Sequence, residues 1–228
     1  MKHLEYLFLL LFFALVACSS ETTSENGGNA DSTSTANVTT EGLQKGTFTA
    51  ELAKGLDYVG EIVYGETWQD KNGENLLIFS EKLTSKEIEA MSETNKELHV
   101  YHYANNGSGF KLIREVKDFQ EKCLMDNRAR FVENSVNITD LDNDNLAEMT
   151  FTYRLGCTSE LSPDDLKLIM LENGEKYAIR GNTKVDYGGG QIVGGETNID
   201  DQFKKAPTEF LDFAKKIWEQ QQVHDSNL

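Results

Sequence analysis

Apolar and polar positions alternate with a period of two in some stretches of the chain, and other stretches are short continuous runs of apolar, β-branched and aromatic residues, both of them strand signals. These runs fall near residues 60–68, 75–81, 98–103, 110–119, 129–138, 147–155, 166–171 and 176–181. Turn-forming residues stand between them at Asp70-Lys71-Asn72-Gly73, Asn105-Asn106-Gly107, Asp142-Asn143-Asp144-Asn145 and Glu172-Asn173-Gly174. Short strands joined by tight turns predict antiparallel pairing. The expected fold class is mainly β (α+β), with two antiparallel four-stranded meanders resembling propeller blades, packed face to face or side by side, and a C-terminal amphipathic helix.

Two segments leave the strand pattern. Over residues 207–222 the spacing becomes helical, with Pro207 at the start and Phe210, Leu211, Ala214, Ile217 and Trp218 on one stripe. Such a stripe is expected to pack on a sheet. A short helix is also expected over 86–92, because Thr84 and Glu87 have capping-box spacing.

The two sets of strands look alike. The hairpin I-T-D-L-D-N-D-N-L-A-E-M-T-F can be laid on E-T-W-Q-D-K-N-G-E-N-L-L-I-F, so that Asp70 and Asn72 sit where Asp142 and Asp144 sit. Trp68 then replaces Asp140, and Leu76 replaces Glu148. On this reading the first loop is a degenerate copy of the second, and chance similarity between hairpins is the competing explanation.

Charge patterning singles out the second loop. Asp140, Asp142 and Asp144 alternate with Leu141 and Asn143, and Glu148 follows. Ca²⁺ takes roughly 6–8 oxygen ligands, and a tight turn aims positions 1, 3 and 5 of a loop at one point. Counted from Asp140, the ligands would be the Asp140, Asp142 and Asp144 carboxylates, the Leu146 carbonyl and the Glu148 carboxylate. Carboxylates held so close repel one another unless a cation neutralises them. Asn145 stands where an EF-hand has its turn glycine, a mild change because Asn tolerates left-handed angles. Phe151 stands where the EF-hand has its bidentate Glu, which excludes a helix-loop-helix site. The loop resembles the strand-loop-strand Asp-x-Asp-x-Asp loops of integrin-type propeller repeats. The competing reading is an acidic hairpin turn, where Asp and Asn are favoured anyway.

The N-terminus reads as an address. Lys2 and His3 precede an apolar run over 7–16, which ends in Leu15-Val16-Ala17-Cys18. That tetrad resembles the lipobox of bacterial lipoproteins, which implies a signal peptide over 1–17 and lipidation of Cys18. Residues 18–44 are dominated by Ser, Thr, Asn and Gly without aromatics and form the expected tether, leaving 45–228 as one β-rich domain. Cys123 and Cys157 remain as a pair, most simply a disulfide in an exported chain, with two buried thiols as the alternative.

The formal net charge of −16 excludes a nucleic-acid partner and favours cations or basic partners. Catalytic constellations are hard to assemble. His3, His99, His102 and His224 are scattered, and His99 and His102, three apart on one strand, point to opposite faces. The glycine-rich stretch Tyr187-Gly188-Gly189-Gly190-Gln191 lacks a following Lys-Ser/Thr and reads as a hairpin or rim loop.

Several pieces together carry a wider resemblance: the run over 65–75, Tyr101-His102-Tyr103, Val116-Lys117-Asp118-Phe119, Ile138-Thr139-Asp140-Leu141-Asp142-Asn143-Asp144, Leu166-Lys167-Leu168-Ile169-Met170 and Lys176-Tyr177-Ala178-Ile179-Arg180-Gly181. Over about residues 55–220 the chain resembles the Bacteroidota lipoproteins named for surface polysaccharide biosynthesis. The resemblance implies an outer-membrane lipoprotein on the cell surface or the periplasmic face. Its expected role is that of a non-enzymatic accessory in surface polysaccharide or lipopolysaccharide assembly, with a glycan or an assembly protein as partner. The alternative is a glycan-acting hydrolase or transferase using carboxylates.

Overall fold

The structure is a computed structural model and describes residues 43–158 and 161–223. The expected signal segment, Cys18, the expected tether up to residue 42, His3 and His224 lie outside the described residues. The chain forms β1 (Gln44–Lys45), β2 (Glu61–Asp70), β3 (Gly73–Ile88), β4 (Met91–Asn105), β5 (Lys111–Cys123), β6 (Arg130–Phe131), β7 (Asn137–Thr139), β8 (Glu148–Leu155), β9 (Asp165–Glu172), β10 (Glu175–Asn182), β11 (Lys184–Asp186), β12 (Ile192–Gly194), β13 (Thr197–Ile199) and α1 (Thr208–Gln221).

One sheet runs β1-β2-β3-β4-β5 and a second runs β13-β10-β9-β8-β6, with β7 also on β8. Every pairing within them is antiparallel. The expected meanders are therefore present. They pack face to face: Trp68, Leu77, Phe79, Leu98 and Val100 from the first sheet share one core with Met149, Phe151, Tyr153, Ile169 and Leu171 from the second. Phe79 and Phe151 meet edge to face across this core, with ring centroids 5.3 Å apart.

The outer faces are covered too, which explains why several strands read as continuous apolar runs. Leu76 and Ile78 alternate with Leu77 and Phe79 and lie against Phe48, Leu52, Ala53 and Leu56. That N-terminal cover is held down by Ser80 Oγ donating to the Val59 carbonyl at 2.7 Å, and by the Tyr103 hydroxyl donating to the Asp57 carbonyl. On the second sheet, Leu166, Leu168, Met170 and Ile179 receive Phe210, Ala214 and Trp218 of α1, the expected stripe. Each fully buried Leu, Ile, Met or Phe here contributes roughly 1.5–3 kcal/mol relative to exposure. Cys123 and Cys157 form a disulfide.

Three expectations are corrected. Residues 86–92 are not a helix. They form the distal end of the β3–β4 hairpin, where Lys86 pairs with Glu93 and Ile88 with Met91, and Glu89 turns the chain at a φ of 56°. The cross-strand ladder that begins in the core extends outward and overrides the local capping signal. The run 129–138 is not one strand: it leaves the ladder after Phe131, with Asn134 at a φ of 55°, and returns at Asn137. Ser135 fills the gap, its Oγ accepting the Thr152 N–H at 3.0 Å. The domain also begins earlier than 45, because Leu43 packs against the inner core and Gln44 already pairs with Gln69.

The two similar hairpins share a register. Thr67 pairs with Leu76 and Thr139 with Glu148, the same pair in each copy. Beyond it they diverge. The first ladder continues to Asp70–Gly73 and closes on Lys71 and Asn72, whereas the second stops and residues 140–147 loop out.

Candidate metal centre

Three connections meet at one end of the sandwich, with β5 beside them. Lys71 N–H donates to the Asn145 carbonyl at 2.8 Å, and Asp70 accepts the Ala147 N–H at 3.2 Å, so the first hairpin buttresses the acidic loop. The Asn72 amide reaches Asn173 at 3.4 Å, and Arg114 donates to the Gly174 carbonyl at 3.0 Å. Asn173 and Gly174 both have positive φ, as a two-residue hairpin turn requires, and this turn sets Glu172 at the end of β9 beside the loop.

Within the loop the backbone is held by its own side chains. Asp142 accepts the Asp144 N–H at 3.3 Å, and Asp144 accepts the Leu146 N–H at 2.7 Å. Asn143 and Asn145 take φ values of 60° and 68°, so Asn145 supplies the left-handed turn in place of glycine.

The expected acidic ligands come together. Carboxylate oxygens of Asp140, Asp142 and Glu148 lie within 4.8 Å of one another, and so do those of Asp142, Asp144 and Glu172. Oxygens on opposite sides of a Ca²⁺ ion stand about 4.6–5.2 Å apart, twice the Ca–O distance, so either group is compact enough to hold a metal ion. Asp142 belongs to both. Leu146 is half-buried, with its N–H committed to Asp144.

Glu148 is fully buried. Both its oxygens accept the Leu141 N–H, at 3.1 and 2.9 Å, and Oε2 also accepts from Thr139 Oγ1 at 2.9 Å. Oε1 therefore keeps acceptor capacity. Burial pushes the Glu148 carboxyl up to about 7 and the Asp142 charge adds to the rise, while the Thr139 and Leu141 hydrogen bonds oppose it. Glu172 is also pushed up to about 7, first by burial and then by the charges of Asp142, Asp144 and Asp140. Asp140 Oδ1 is buried and accepts no hydrogen bond among the described residues. An orphaned carboxylate oxygen inside an acidic cluster costs free energy that a cation would relieve.

Glu172 was not identified from the sequence. It lies 24 positions after Glu148 by their numbers, on a different hairpin, and only the strand order brings it to the loop. Its one local signal is the adjacent Asn-Gly turn.

The two strand histidines do face opposite ways. His102 stacks on Trp68 at 5.5 Å in the inner core and meets the Asn75 amide oxygen at 3.0 Å. His99 lies on the outer face between Glu97 at 3.0 Å, Glu115 at 3.3 Å and the Tyr101 hydroxyl at 3.1 Å. With 2% exposure, its ring braces the sheet instead of meeting solvent. The glycine-rich stretch forms the tip of the β11–β12 hairpin, closed by the Tyr187 N–H donating to the Gln191 carbonyl at 2.9 Å. No helix among the described residues is long and apolar enough to cross a membrane. No family model matches the chain, and no curated protein or solved structure matches it.

Proposed function

We propose that the 140–148 loop binds one structural Ca²⁺, and that the β-module it stabilises serves as a non-catalytic accessory tethered to a membrane through lipidated Cys18. The observation that carries the ion site is the buried, unsatisfied Asp140 Oδ1 beside the Asp142 and Glu148 carboxylates. The ligands are Asp140, Asp142, Asp144 and Glu148 with the Leu146 carbonyl, and Glu172 adds negative charge from the neighbouring hairpin. Ca²⁺ suits this set better than Mg²⁺, which demands near-ideal octahedral geometry and dehydrates reluctantly. The role is placed in surface polysaccharide assembly at the outer membrane on the strength of the resemblance over residues 55–220 and the lipobox-like Leu15-Val16-Ala17-Cys18.

Calorimetric titration of the chain with Ca²⁺ and then Mg²⁺ tests the ion. One site near ~10⁻⁴ M for Ca²⁺ with weaker Mg²⁺ binding is expected. Binding that survives Asp142→Asn with Asp144→Asn would reject this loop as the site. Fractionation tests the anchor separately: Cys18→Ser should move the protein from the membrane to the soluble fraction, and unchanged membrane association would reject lipidation as the tether.

A further inference from the structure

The edge of the first sheet points to a partner. β1 pairs with β2 only at Gln69 and Trp68, and the Gly46 N–H then reaches the Thr67 carbonyl at 2.8 Å before the chain turns away over the outer face. Beyond that point, among the described residues, no strand lies on the β2 side from residue 61 to 66. Natural sheets guard such an edge with lysine, proline or a bulge. Here the sequence is Glu61-Ile62-Val63-Tyr64-Gly65-Glu66, without Lys or Pro. Its guards are a single bulge between Ile62 and Tyr64 and the flanking Glu61 and Glu66, and at the bulge Val63 is 51% and Tyr64 44% exposed, so the open backbone still carries an apolar surface.

Both faces of this edge are hollow. On the inner side a cleft of about 510 Å³ has Tyr64, Phe79 and Phe131 in its walls, and Phe79 sits 5.6 Å from the Tyr64 ring and 5.0 Å from that of Phe131. On the outer side Phe48, Ile62 and Gly65 line a second hollow of about 550 Å³. A strand laid on a sheet edge sends successive side chains to opposite faces, so it would fill both. Main-chain bonds then give affinity and the two hollows give selectivity.

We infer that the β2 edge from residue 61 to 66 receives an extended, basic segment of a partner protein by strand addition. Charge selects the occupant. Glu81 and Glu133 line the inner cleft, Glu61 and Glu66 flank the edge, and no Lys or Arg lines either hollow. Glu81 is already paired with Lys96 at 2.7 Å and Glu66 accepts the Tyr64 hydroxyl, which leaves Glu61 and Glu133, both exposed, to meet the incoming cations. A second copy of this chain would set these carboxylates against their equals. The chain's own residues 19–42 carry Glu21, Glu25, Asp31 and Glu41 with no Lys or Arg, and are disfavoured in the same way.

The test is an amide NMR titration of the full chain with a pool of capped heptapeptides, lysine at odd positions and valine, isoleucine, threonine or tyrosine at even ones. Shifts confined to residues 61–66 and the walls of the two hollows are expected. Binding should weaken at least tenfold when glutamate replaces lysine, when alternate peptide amides are N-methylated, and in Val63→Lys. Because Val63 is half-exposed, Val63→Lys should unfold at the same temperature as the parent chain. No shift at millimolar peptide overturns the proposal, as does binding indifferent to N-methylation and to Val63→Lys. Broadening of the 61–66 amides with protein concentration alone would give the edge to a second copy and overturn it too.

Discussion

Asp70 accepts the backbone N–H of Ala147 at 3.2 Å, tying the turn of the first hairpin to the last loop residue before Glu148. The same carboxylate accepts the Trp68 indole N–H at 2.9 Å and the Asn72 N–H at 2.8 Å. One side chain thus closes its own turn, orients a core tryptophan and holds the acidic loop. The first hairpin lacks the carboxylate cluster of the second and acts as its support.

Asp70→Ala removes three hydrogen bonds to a charged acceptor. Urea unfolding should show a loss of about 2–3 kcal/mol, and Ca²⁺ affinity should fall because the loop loses its brace. A variant as stable as the parent chain would mean that Lys71 and Asn145 hold the loop alone.

Glu172→Gln tests the second carboxylate group. If Glu172 contributes to the ion's field, Ca²⁺ affinity should fall by roughly a factor of 10, since ligand charge sets affinity at such sites. Calorimetry reads this directly. In the absence of Ca²⁺ the same variant should be more stable at neutral pH, because a half-buried negative charge beside Asp142 and Asp144 is gone.

Much of this arrangement is legible in the sequence. The alternation of apolar residues gives the meanders, and the spacing of Asp140, Asp142 and Asp144 marks the loop, because both patterns act within one element. What the sequence hides is non-local. Glu172 reaches the loop only through strand order. The span 86–92 carries a helix cap that ladder pairing overrides, and the break at Ser135 depends on a side chain replacing a backbone bond on β8. Gln44 reads as tether because a strand of two residues has no period.

Stability should respond to pH in two opposed ways. Burial pushes His102 down to about 4 from 6.5, so between these values the unfolded chain binds more protons. The stability from the neutral ring is complete above pH 6.5 and is lost as pH falls toward 4. Glu148 and Glu172, raised to about 7 from 4.5, bind more protons in the folded state, so in EGTA they lower stability as pH rises through that window. With Ca²⁺ bound they stay ionised and that fall disappears. Urea midpoints from pH 4 to 8, with and without Ca²⁺ and in His102→Gln, separate the two slopes.

The disulfide closes a loop with a sequence separation of 34. Loop-closure entropy of that length corresponds to about 3–4 kcal/mol, so Cys123→Ser with Cys157→Ser should lower the unfolding free energy by that order. A loss well below 1 kcal/mol would mean that the β5 end and the β8–β9 connection are held together without it.

The most direct measurement is thermal unfolding of the full chain in EGTA and then in about 1 mM Ca²⁺. A site with Kd near ~10⁻⁴ M adds on the order of 1.4 kcal/mol, and Tm should rise by about 3–6 °C. The rise should vanish in Asp142→Asn with Asp144→Asn. An unchanged Tm, or a rise that persists in that variant, would contradict a structural ion in the 140–148 loop and leave its acidic alternation as turn chemistry alone.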